Sequence, residues 1–435
     1  MDFNINKEIL RLAIPNIISN ITVPLLSMVD MAIVGHLQLE VYIGAIATAT
    51  LIFNFLYWSF SFLRMGTSGF TAQAYGAKDK NEISAIFLRS LSIALIGGII
   101  IIALQQAIFR LAFYVISGGP EVLFYADQYF TIYIWSAPFV LGMYAFSGWF
   151  VGMQDSKTPM WIAISTNIIN ISLSLFFVYV LKMNIEGVAL GSLLAQISGF
   201  ILAFLIWYFK YKEVRLIINL RKIRDFKAYI PFFRVNTDIF IRTMLLITIT
   251  TFFTSVSARM GNTILAANAL LMQLFTLFSY MMDGFAYSAE ALTGRFIGAR
   301  QTFYLKELIR KLFMWGIGIV VLFTLCYFLF TDQILNILTD KKDVIAVCKQ
   351  YQHWVLLIPI AGFSAFLWDG IFIGATASRQ MRNSMFLAVL FFFLFYYTLR
   401  DYLGNNALWL SFIVYLAMRG IVQWFMYKKI RQNLE

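Results

Sequence analysis

Thr71-Ala72-Gln73-Ala74-Tyr75-Gly76-Ala77-Lys78 closes an apolar segment, and 222 residues on Thr293-Gly294-Arg295-Phe296-Ile297-Gly298-Ala299-Arg300 stands in its place. The same offset carries Gly148-Trp149-Phe150-Val151-Gly152 onto Gly370-Ile371-Phe372-Ile373-Gly374, Ser156 onto Ser378 and Asn184 onto Asn406. Single identities of Gly or Ala arise readily by chance in apolar sequence. Three separated stretches in one ungapped register do not, and the register predicts a duplicated unit.

The residues around these stretches say what the unit is made of. Sixty per cent of the chain is hydrophobic and 13% is charged, against about 25% charged in an ordinary soluble protein. Mean hydropathy is +0.76. A helix crosses the hydrocarbon core with about 20 apolar residues, and such segments recur along the whole length. Unbroken apolar runs such as 314–330 argue against a closed barrel, whose strands alternate. Spans are expected at 8–35, 43–72, 84–108, 123–150, 160–181, 185–209, 228–257, 264–292, 308–330, 349–375, 384–400 and 406–427. The fold class is therefore an all-α membrane protein of twelve transmembrane helices in two parallel six-helix lobes. Six is even, so both halves enter the membrane in the same direction and a pseudo-two-fold axis along the membrane normal is expected. The N-lobe is assigned to 1–209, a basic cytoplasmic linker to 210–227 and the C-lobe to 228–435. Parallel repeats of this kind are a transporter architecture.

The formal net charge of +12 is a topology signal and not a nucleic-acid footprint. With the N-terminus inside, 23 Lys and Arg fall on inside termini, loops and flanks and seven on outside segments. That bias puts both termini in the cytoplasm and the chain in the plasma (inner) membrane. Cys326 and Cys348 give no disulfide framework, and the isolated His36 and His353 give no metal site. No P-loop is present, so transport would draw on an ion gradient. No voltage-sensor helix or filter-like segment suggests a channel.

Charge inside a span costs at least about 2.5–3.5 kcal/mol and needs a reason. Asp30 lies near the outer end of the first span, with no basic residue within two turns. Burial disfavours a carboxylate, and an acid open to the outer aqueous side suits a proton carrier. Pro24, two turns earlier, frees a carbonyl and allows that helix to bend. A hydrogen bond to a neighbouring helix is the alternative role for Asp30. In the second half, Arg234, Asp238 and Arg242 stand at i, i+4 and i+8 and can pair along one face. Asp283 and Glu290, Asp369 and Arg419 join them in the inner half of the bilayer. These seven read first as a structural ion-pair network, with substrate or proton movement as the other reading. Asn54, Asn167 and Asn170 are candidates for the substrate cavity; amides in apolar helices also bond across helix interfaces.

These residues resemble the MATE (multidrug and toxic compound extrusion) family, and within it the DinF-like branch. The resemblance rests on Pro24 followed by Val29-Asp30-Met31-Ala32-Ile33-Val34-Gly35, on Phe62-Leu63-Arg64-Met65 and on Gly69 through Ala77. It continues in Asp283-Gly284-Phe285-Ala286-Tyr287 with Glu290, Asp369 through Thr376, and Met381-Arg382-Asn383-Ser384-Met385. The family implies an antiporter that exports lipophilic, often cationic compounds in exchange for H⁺ or Na⁺, with the first-span acid, here Asp30, as protonation site. Protonation would bend the first span and shrink the N-lobe cavity. Asp369 stands where the family's tenth-span acid stands. Two departures matter. Ser174, four residues after Asn170, replaces a second N-lobe acid, and the seventh span has Asp238 with Arg242 in place of a lone Glu. An arginine beside the C-lobe acids repels Na⁺, so H⁺ is the expected coupling ion.

The expectation is a monomeric exporter with no cofactor, no metal and no enzymatic activity. It would take small lipophilic substrates into a Phe- and Met-lined cavity and contact membrane lipids and no nucleic acid. A lipid-linked-precursor flippase and a Na⁺-coupled exporter are the rival readings; an intramembrane enzyme lacks a paired nucleophile and base. A flippase for an anionic substrate would need several basic residues in an N-lobe cavity, where Arg64 is the one available.

Overall fold

The computed structural model describes residues 4–35, 41–115, 119–217 and 226–432, apart from a few side chains within the helices. Among them every regular element is helical. In chain order these are α1 (Ile5–Gly35), α2 (Val41–Ser59), α3 (Phe62–Gly76), α4 (Lys80–Ala103), α5 (Gln105–Val115), α6 (Pro120–Tyr133), α7 (Ala137–Gly152) and α8 (Lys157–Leu175). There follow α9 (Ile185–Lys210), the single turn α10 (Lys212–Arg215), α11 (Tyr229–Arg259), α12 (Asn262–Gly298), α13 (Thr302–Leu338), α14 (Lys342–Gly374), α15 (Ser378–Leu403) and α16 (Asn405–Gln432).

From Val41 onward, eleven helical segments among the described residues are long and apolar enough to cross a membrane. With α1, 31 residues long, they make the twelve expected spans of an all-α, multi-pass membrane protein. Two spans are composite: α2 and α3 make the second, and α6 and α7, joined by a 3₁₀ turn at Ile134–Ser136, make the fourth. Local chemistry sets the ends. Asp79 accepts from the backbone N–H of Glu82 at 2.9 Å and caps α4. Gly119 and Pro120 open α6, where the missing N–H of proline has no intrahelical partner to lose.

The 222-residue register reappears in the backbone. Lys78 and Arg300 both take a left-handed conformation (φ 57° and 55°), as do Gln154 and Thr376 (63° and 52°) and Lys182 and Gly404 (55° and 54°). Helix contacts repeat in step with it. A Cβ on Gly148 would lie 2.2 Å from the carbonyl oxygen of Arg64, and one on Gly370 would lie 2.2 Å from that of Ala286. One turn on, Gly152 meets Ser68 and Thr71, and Gly374 meets Glu290 and Thr293. Each pair of glycines is a small-x-x-x-small seam that lets two backbones touch.

The chain divides into two compact units, one of Ile18–Phe233 and the other of Met1–Ile17 with Arg234–Glu435. This differs from the expected division into 1–209, 210–227 and 228–435. In the second unit Trp315 donates to Asn6 at 3.2 Å and Arg295 pairs with Glu8 at 3.5 Å. Gly284 lets α12 approach so closely that a Cβ there would meet Ile17 at 2.3 Å. The start of α11 belongs to the first unit through the Phe70–Phe232 rings, 5.7 Å apart, and Arg89 over Tyr229 at 5.8 Å. Within the first unit, Phe87, Phe146, Trp149 and Phe150 form an aromatic core, with the indole of Trp149 bonded to the carbonyl of Ile83 at 3.1 Å.

Candidate functional site

The second unit holds buried charge arranged around Asp369. This carboxylate, 5% exposed on α14, accepts from Arg242 of α11, from Arg419 of α16 at 2.7 Å and from the side-chain amide of Gln423 at 2.5 Å. Three helices thus converge on one group. Arg419 is 2% exposed and lies within electrostatic reach of Asp283 on α12. Two turns further along α12, Glu290 is fully buried, at the point where Gly374 brings α14 against its backbone.

A second cluster forms on Asp238. Arg382 reaches one of its oxygens at 2.6 Å and the Ser378 hydroxyl donates to the other at 2.8 Å. The expected pairing of Arg234, Asp238 and Arg242 along one face of α11 is therefore not what forms. Asp238 turns to α15, Arg242 to α14, and Arg234 is exposed. The physical reason is that a buried carboxylate needs donors on both oxygens, and partners on other helices supply them here. The single seven-membered network resolves into an Asp369 cluster, which takes in Arg242, Arg419 and nearby Asp283, and a separate Asp238 cluster.

Sequence reasoning missed Arg382, Ser378 and Gln423 as parts of these clusters. Arg382 stands one turn inside α15, ahead of the apolar run at 384–400 that marks the span in the sequence. Gln423 is neutral and carries no charge signal. A buried amide hub also went unnoticed: Asn268 donates to Ser257 at 2.7 Å and to Asn405 at 2.8 Å, and accepts from Trp409 at 2.9 Å.

In the first unit, Asn170 is 3% exposed and donates to Ser192 of α9 at 3.0 Å. Ser174, fully buried, donates to Asn170 at 3.4 Å, against Gly191. Asn170 thus joins α8 to α9, and Ser174 bonds back to it along α8. Asn167 is half-buried and donates to the carbonyl of Thr22 at 3.3 Å, two residues before the half-buried Pro24. It ties α8 to α1 beside the proline. Asn54 is exposed on α2. The side chain of Asp30 lies outside the described residues. Arg64 is not alone among the half's inward basic residues. Arg89 is 5% exposed, and its partner is Glu82 at 2.8 Å.

Comparison with known proteins meets these observations along the whole chain. The family model MatE matches twice, at residues 15–176 and 239–398, so each half matches it separately. DNA damage-inducible protein F of Escherichia coli is 37% identical over 96% of this chain and 90% of its own. Protein DETOXIFICATION 44, chloroplastic, of Arabidopsis thaliana is 23% identical over 95% of this chain and 81% of its own. Among solved structures, a MATE in the bent conformation superposes with a TM-score of 0.88 at 22% identity, covering 99% of this chain and 96% of that one. An outward-facing multidrug resistance MATE family transporter of the MOP superfamily gives 0.87 at 21% identity, over 100% and 97%. With twelve apolar spans, a repeat carried by backbone and glycine alike, and two separate matches in register with it, the chain is a member of the MATE transporter family, of its DinF-like branch.

Proposed function

We propose that this protein exports lipophilic, often cationic compounds across the inner membrane in exchange for protons, by alternating access, with both termini in the cytoplasm. Relatives described as probable multidrug resistance proteins, YoeA of Bacillus subtilis and NorM of Thermotoga maritima, support the substrate class. One observation favours H⁺ over Na⁺. Both oxygens of Asp369 and both oxygens of Asp238 are engaged by guanidinium, amide or hydroxyl donors. A Na⁺ ion would need those oxygens and would sit beside arginines that repel it. Asp30 is the carrier in this reading. Protons from outside neutralise it and drive release outward, and its deprotonation toward the cytoplasm resets the cycle.

The test is transport by reconstituted protein. Under a pH gradient alone, wild type extrudes a cationic dye; under a Na⁺ gradient alone it does not. Asp30→Asn folds and loses pH-driven efflux. Dye extrusion driven by Na⁺ alone would overturn the choice of ion, and undiminished efflux by Asp30→Asn would remove Asp30 from the mechanism.

A further inference from the structure

In the second unit, α14 contacts both α13 and α16, and a cavity of about 280 Å³ opens among the three helices. Its floor is Trp368, 2% exposed, whose ring meets Phe313 of α13 at 5.1 Å and Tyr427 of α16 at 4.9 Å. Above the floor the walls are apolar and open outward: Ile360, Ile421 and Trp424 line the cavity and are each about half exposed. In a membrane protein such an outward apolar face meets hydrocarbon.

One end of this groove differs from the other. The ammonium of Lys428 lies 4.2 Å from the centre of the Trp424 ring. Lys311 stands two residues before Phe313, next to Arg310. Because Trp368 touches both Phe313 and Tyr427, the start of α13 and the end of α16 flank the same end of the groove. Glu307, one turn before Lys311, is outnumbered by these bases. From Lys428 to Ala417, which also lines the cavity, α16 rises about 16 Å. That matches one leaflet of a hydrocarbon core of about 30 Å.

We propose that this groove seats one anionic phospholipid, taken from the leaflet that meets the C-terminal end of α16. An acyl chain lies along Ile421 and Ile360, and the phosphate sits between Lys428 and Lys311. A detergent or a sterol satisfies the apolar wall and leaves the basic end unanswered.

Native mass spectrometry of the delipidated full-length protein tests this. Phosphatidylglycerol and phosphatidylcholine of identical chains are titrated separately, with inorganic phosphate as competitor. Wild type retains one phosphatidylglycerol at a concentration at least about fivefold lower than phosphatidylcholine, and inorganic phosphate does not displace it. Lys428→Gln and Lys311→Gln each weaken phosphatidylglycerol about fivefold, the effect of one basic group at an anionic surface, and leave phosphatidylcholine unchanged. Ala361→Phe fills the groove and removes the seat for both lipids. Equal retention of the two lipids, indifference to both lysines, or displacement by inorganic phosphate overturns the proposal. Undiminished binding by Ala361→Phe overturns the location. Should Ala361→Phe not yield monodisperse protein, the lysine variants decide.

Discussion

Two guanidinium groups and an amide converge on the carboxylate of Asp369, and that convergence makes each donor hard to remove. Arg419 is buried with its partner, so truncating it leaves charge in a medium that solvates it poorly. Arg419→Met should cost about 3 kcal/mol, read as a fall in thermal midpoint of the purified protein. Adding Asp369→Asn should cost less than the two single changes summed, because the Arg419–Asp369 contact can be lost only once. A double variant no better than the sum of the singles would show that the two do not act as a pair. What the sequence could tell at this scale was which residues are anomalous: charge inside an apolar span is rare enough to mark Asp238, Arg242, Asp369 and Arg419. Partners were not legible. The spacing of Asp238 and Arg242 is compatible with a pair along their own helix, and only the packing of α14, α15 and α16 decides against it. Asn170 shows the same ambiguity, since an amide that lines a cavity and one that seals two helices look alike in one dimension.

At the level of helices, backbone contact is the controlling feature. The glycines at 148 and 370 leave no room for a methyl group, because the nearest atom is a carbonyl oxygen of the neighbouring helix, which cannot rotate away. Gly148→Ala and Gly370→Ala should each destabilise by about 1–3 kcal/mol, whereas Gly318→Ala, with open space around it, should be neutral or slightly stabilising. Equal effects at the three positions in a thermal-shift series would refute the close-approach argument. Helix ends carry a second dependence. Asp155, between α7 and α8, accepts from Lys210 at 2.7 Å, Tyr211 at 2.8 Å and the Thr158 hydroxyl at 2.6 Å. Burial pushes its carboxyl up, but these hydrogen bonds outweigh it and hold the carboxyl below its ordinary value. A group depressed on folding stabilises fully above its unfolded value and loses that contribution as pH falls through the folded one. The stability gap between wild type and Asp155→Asn should thus be constant near neutrality and close in acid, below about pH 4. A gap that widened in acid would contradict it. The number and order of spans were legible because each needs its own apolar run. Their lengths were not: α12 and α13 each run to 37 residues, past the apolar middle that hydropathy detects.

Across the whole molecule, the repeat was the most legible feature, and the reason is steric. A turn that requires a left-handed residue, or a contact that excludes a side chain, constrains both halves alike, so Gly148 and Gly370 or Lys78 and Arg300 stay in register where side-chain chemistry has diverged. The assignment of residues 1–17 was not legible, since nothing in Asn6, Glu8 or Ala13 names Trp315, Arg295 or Gly284 as the partner. Orientation in the membrane is a different kind of inference, because it rests on charge counted over loops and not on any contact. Lys and Arg are retained on the cytoplasmic side during insertion, and on their bias of 23 to seven we propose that both the start of α1 and the end of α16 lie inside. A fluorescent protein fused after Glu435 should then mature and fluoresce, and alkaline phosphatase at the same point should be inactive. Phosphatase inserted between α8 and α9, beside Lys182, should be active, because an odd number of spans separates that turn from the C-terminus. Active phosphatase at the C-terminus would invert the orientation, and with it the side from which protons reach Asp30.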